Sequence, residues 1–194
     1  MTNADFHARH QHLLHQLALY LREAEQILAA WDTYSDEHTG PDGWPHDERA
    51  YGFRQAQRDA DTWRSFNRIR SGAGDLVATA EAQLQRLPER SVHHRWGWQI
   101  GALRTAQERI GALQSEWLTL RATLPESVRP GVEEYDGPLA ERNAEAWHYL
   151  DEWALHGQAV LDIHNALRRS QSPPTTAPVA ALPGRDSNPA KPRR

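Results

Sequence analysis

Eleven histidines and twenty-six acidic residues are the groups in this 194-residue chain that can bind metal or move protons. Their spacing narrows what they can do. His7 with His10, and His12 with His15, each lie three residues apart, which places two imidazoles one helical turn apart and chelates a cation only weakly. The two pairs point to different sides. His148, His156 and His164 step by eight residues and also rotate around a helix. No HxxxH or HExxH stretch is present. The Glu-x-x-His sets that di-metal bundles draw from two helices are not supplied, and helical Glu-x-x-Glu patterns are missing. Neither GxxxxGK[ST] nor GxSxG occurs, and Gly72-Ala73-Gly74 lacks the strand and Lys of a phosphate loop. The absence of Cys excludes disulfides, zinc thiolates and thiol catalysis.

One metal candidate follows from proximity alone: His38 and His46 with Asp42, in a loop also carrying Asp36, Glu37 and Asp47. Its spacing matches no established ligand pattern. His164 falls on an apolar helix face and reads as a hydrogen-bonded core histidine. The sequence therefore implies no cofactor and predicts a non-enzymatic protein, with a metal-dependent enzyme at the acidic loop as the second alternative.

The elements that position these groups are helical. The cleanest signal is Val92 to Leu124. Trp96, Leu103, Ile110, Trp117 and Leu124 recur every seven residues, and Val92, Ala106, Leu113 and Leu120 form a second row interrupted by Gln99. A helix cannot bury such a seam alone, so the spacing predicts the spine of a bundle. A first helix is predicted over about 5–36, capped by Asn3 or Asp5, with Phe6, Leu13, Tyr20, Ile27 and Tyr34 in one row. A second is predicted over 45–87, opened by Pro45. Its later half is plainly amphipathic. Its earlier half puts Tyr51, Gln55, Arg58, Asp59 and Thr62 on the same face, so either the face turns towards Phe53 and Trp63 or that end holds a polar layer. Gly72 and Gly74 are the expected place for a kink. The third helix, 92–124, is capped by Ser91. Residues 125–137 form a loop, and Pro138 opens a fourth helix, 138–169. Its inward face carries Ala146, Trp147, Leu150, Trp153, Gly157, Val160, His164 and Leu167.

The predicted fold is thus all-α: an up-down antiparallel four-helix bundle with coiled-coil-like packing over residues 1–170, followed by a disordered, Pro-rich basic tail, 171–194. Short connections fold consecutive helices antiparallel, so loops one–two and three–four share an end. Loop 32–48 holds six acids and no Arg. Loop 126–136 holds four acids against Arg129, giving −9 for both segments together. The net charge of −4 divides into −7 over 1–170 and +3 over 171–194. Lys191 is the only Lys beside 21 Arg, which reads as the codon bias of a GC-rich, actinobacterial-type genome.

Acids beside aromatics predict a partner-binding end built from Trp44, Asp36, Glu37, Asp42, Asp47, Glu133, Glu134 and Tyr135. The expected partner is a protein, with self-association as a further expectation. The first alternative is a nucleic-acid accessory protein touching phosphates through Arg86, Arg90, Arg95, Arg168, Arg169, Arg193 and Arg194. No apolar run approaches the ~20 residues of a membrane span, and no export signal is read, so the expected location is the cytoplasm.

Overall fold

The computed structural model describes residues 2–171. The predicted tail, with Arg193 and Arg194, lies outside the described residues. Within them the chain is helical and forms no strand; Thr39 and Pro45 make a single isolated bridge. Six α-helices follow one another: α1 (Asn3–His38), α2 (Glu48–Phe66), α3 (Ala73–Arg86), α4 (Trp96–Thr123), α5 (Glu133–His156) and α6 (Gln158–Gln171). No described helix is long and apolar enough to cross a membrane.

Several starts and breaks differ from expectation. Thr2, not Asn3 or Asp5, caps α1. Its hydroxyl accepts from the Asp5 amide at 3.2 Å and the Asp5 carboxylate accepts from the Thr2 amide at 2.9 Å, a reciprocal capping box. Pro45 does not open α2, which begins at Glu48 and is capped by Asp47, accepting from the Ala50 amide at 3.0 Å. Ser91 lies in a 3-10 turn, and α4 begins at Trp96 with no side-chain cap. Pro138 does not open the fourth helix. α5 starts five residues earlier, at Glu133, so Pro138 sits near its beginning, where only one preceding turn must tolerate the missing amide.

The second and fourth predicted helices are each two helices. The second stops at Phe66 and passes through a 3-10 turn, Arg70–Gly72, before α3. The interruption thus runs up to Gly72, the first of the two glycines at which a kink was expected. Gly72 serves close approach: a Cβ there would lie 2.4 Å from Leu13 Cδ2 of α1. The fourth breaks at Gly157, where a Cβ would meet the Trp153 carbonyl at 2.6 Å and Leu21 at 3.0 Å. A side chain at that corner would push α1 away.

Side-chain pairings give the directions. α1 runs antiparallel to α2: Trp31 meets Tyr51, while Tyr20 meets Phe66. α3 and α4 run antiparallel, with Arg104 paired to Glu81 and Gln107 beside Gly74. α4 and α5 run antiparallel, with Trp117 on Tyr135 at one end and Trp98 on His156 at the other. α5 packs most extensively on α4 and then on α2. Connections 39–47 and 124–132 therefore lie at one end, and the start of α1, connection 87–95 and the end of α6 at the other.

Along α4 the row Leu103, Ile110 and Trp117 is buried, with Trp96 and Leu124 half-buried. The second row fails at both ends. Val92 precedes the helix and is exposed, and Leu120 is exposed as well, leaving Ala106 buried and Leu113 half-buried. Ile100 is buried instead, so the contact stripe follows an ordinary helical face and not a strict heptad. The inward face predicted for the fourth helix is buried or half-buried throughout, across both α5 and α6.

Candidate functional site

The acidic end is built on a short locked turn. The Gly40 amide donates to the Trp44 carbonyl at 2.8 Å, the Gly43 amide to Gly40 at 2.9 Å and the His46 amide to His38 at 2.8 Å. Asp42 accepts from the Trp44 amide at 3.2 Å, an Asx turn. Gly43 has φ +80°, a conformation that other residues resist. These bonds fix the backbone while Trp44 points outward, 68% exposed. On the adjoining α2, Phe53 is 76% exposed.

The predicted carboxylates are all exposed, but they do not all have the same freedom. Asp42 and Asp47 are engaged by backbone amides, and Asp136 accepts from the Gly131 amide at 3.0 Å. Asp36, Glu37, Glu133 and Glu134 take no hydrogen bond among the described residues and carry the accessible charge. Tyr135 is not an outward anchor; its ring packs edge-on against Trp117 at 5.2 Å. The His38 ring stacks on Tyr34 at 3.9 Å, with Nδ1 2.8 Å from the Tyr34 carbonyl. Among the described residues no three His, Asp or Glu side chains are grouped to hold a metal ion, and His38, His46 and Asp42 make no such group.

Below this end lies a polar layer, one of the two arrangements open to the early face of the second predicted helix. Arg58 lies between two indoles, its guanidinium carbon 4.4 Å from the Trp31 ring and 4.0 Å from the Trp147 ring. Its Nε and Nη2 donate to Asp59 Oδ1 at 2.9 and 2.6 Å. Asp59 is 2% exposed, and burial raises its pKa against the pull of Arg58. A second clamp places Arg142 3.8 Å above Trp63, donating to Gln114 at 2.7 Å and Asn143 at 2.6 Å. Burial, helped by Arg70, pushes the Arg142 pKa down to about 10, so it stays charged at neutral pH. Arg58, Asp59 and Thr62 thus form the polar layer, while Trp63 turns inward and Phe53 turns out. The available signal was a polar run on a helix face flanked by Trp in three other segments.

The opposite end holds a groove of about 940 Å³ between the start of α1, α3 and the end of α6. Arg86 and Arg168 line it, with His7, His10 and His164. Arg90, Arg95 and Arg169 are exposed and outside it. His10 and His164 are buried with rings 5.4 Å apart. His164 is hydrogen-bonded, as expected of a core histidine, to Gln11 at 3.2 Å and Gln83 at 3.3 Å. The pairing of His10 with His164, from helices at opposite ends of the chain, was not visible in local spacing. On α5, Glu145 and His148 form a lone Glu-x-x-His pair, exposed on the surface.

No protein family, curated protein or solved structure matches this chain.

Proposed function

We propose that the helices assemble as an up-down four-rod bundle, with α2–α3 and α5–α6 each acting as one bent rod, and that the protein is a non-enzymatic interaction module. Its binding face is the acidic, aromatic end, and the partner is a basic protein segment. The observation that supports this reading is Trp44, 68% exposed on a turn that its own backbone bonds hold rigid. A rigid exposed indole loses little conformational freedom on binding and contributes a large apolar contact. Asp36, Glu37, Glu133 and Glu134 are exposed at the same end, and their negative charge steers a basic segment towards it.

The test is a titration of the full chain with an arginine-rich decapeptide, read by tryptophan emission and calorimetry. Saturable binding is expected, weakened by salt and lost in Trp44→Ala at unchanged melting temperature. Absence of binding, or equal binding by Trp44→Ala, overturns the reading.

A further inference from the structure

The groove at the far end has features that a solvated bundle end does not need. Three helices converge on it, and its walls differ in character. Phe6 and Leu167 supply an apolar side. Arg86 and Arg168 supply positive charge near the rim, and His7 adds a further donor. Among the described residues Asp75 is the one carboxylate in the lining, and Arg9 pairs with it at 3.1 Å.

The floor is more specific. His10 is 7% exposed, and its Nε2 is fully buried with no hydrogen-bond partner among the described residues. Buried polar atoms are rarely left unpaired, so such an atom beside a groove marks a place where a further group is accommodated. Next to it, His164 is held from both sides by Gln11 and Gln83. Either imidazole tautomer can be matched, because each glutamine presents an amide N–H₂ or, after a flip, its carbonyl. Both His164 nitrogens are thus engaged, which leaves His10 Nε2 as the unsatisfied group of the floor, and the rim carries guanidinium charge suited to a carboxylate or phosphate.

We propose that this groove binds a small amphipathic organic anion. Its oxyanion head lies between Arg86 at the rim and His10 Nε2 at the floor, and its apolar body packs on Phe6 and Leu167. Apolar walls with a few convergent polar groups are the usual make-up of a small-ligand site. This site is distinct from the acidic end and does not depend on what that end binds.

The experiment titrates the full-length protein with benzoate, with inorganic phosphate and with duplex DNA, following the ring resonances of His10 and His164. Benzoate is expected to shift both rings saturably and to bind more tightly than phosphate. Arg86→Gln, an exposed position, is expected to weaken benzoate about tenfold, the loss of one charge-assisted contact. Phe6→Ala is expected to weaken benzoate and leave phosphate unchanged. Arg54→Gln, outside the groove, is expected to change nothing. The proposal is overturned if neither ring shifts, if phosphate binds as well as benzoate, or if Arg86→Gln and Arg54→Gln behave alike. It is also overturned if only DNA binds, since the basic end is then a backbone-phosphate surface.

Discussion

The two halves of the core solve the same packing problem with different chemistry. In the half away from the 39–47 turn, Leu17, Ile69, Leu76, Ile100, Leu103, Leu150 and Ile163 are all essentially inaccessible, and the stabilisation is apolar burial. Tyr20 joins them because its hydroxyl donates to the Leu150 carbonyl at 2.8 Å. In the half near the turn, the same interhelical space is filled by Arg58, Asp59 and Arg142 among Trp31, Trp63, Trp117 and Trp147. An apolar layer tolerates changes of shape and register at modest cost. A buried guanidinium tolerates few, because it must keep both its carboxylate and its indole faces. The difference shows how one helical core can combine a hydrophobic base with a layer that fixes which helix faces meet.

The comparison breaks most visibly at Asp59. Asp59→Ala strands the Arg58 charge and is expected to cost about 4 kcal/mol in urea unfolding. Arg58→Met with Asp59→Leu, which removes both charges, is expected to cost much less than Asp59→Ala alone. If the double replacement is the worse of the two, the layer depends on the ion pair itself and not on filled space. In the apolar half, Leu103→Ala is expected to cost about 3 kcal/mol by the cavity it leaves. No partner change should rescue it, because no charge is stranded. At the corner between α5 and α6, Gly157→Ala is expected to cost about 2 kcal/mol, since the added methyl meets the Trp153 carbonyl and Leu21.

Acid acts on the base of the molecule through its histidines. Burial holds both His10 and His164 below the ordinary imidazole range, with the charge of His164 adding at His10 and that of Arg168 at His164. The unfolded chain then takes up these protons at higher pH than the folded one. Stability contributed by the neutral pair is present above about pH 6.5 and is lost as pH falls from there towards the folded values. The melting temperature is expected to fall between about pH 7 and about pH 5, and His164→Gln to flatten that fall. The smallest effect is at the exposed turn. Trp44→Ala is expected to alter stability by less than about 0.5 kcal/mol, because its side chain supports nothing in the fold.

The sequence by itself determined the helical class, the inward stripe through Leu103, Ile110 and Trp117, and the shared end of the acidic loops. Those features follow from local periodicity and short connections, which act within one helix or between neighbours. Trp44 stands in a turn of Gly and Pro, which leaves no helix face to bury it. The sequence marked Gly72 as well, where the interruption ahead of α3 ends. The break at Gly157 was not legible, because it depends on how closely α1 approaches through Leu21 rather than on the propensity of the broken segment. The same holds for the Arg58 clamp, whose two indoles come from α1 and α5, and for His10 against His164. Only the tertiary structure decided these, because a long-range contact leaves no period in the chain. Its energy comes from groups that are neighbours only after the helices have packed.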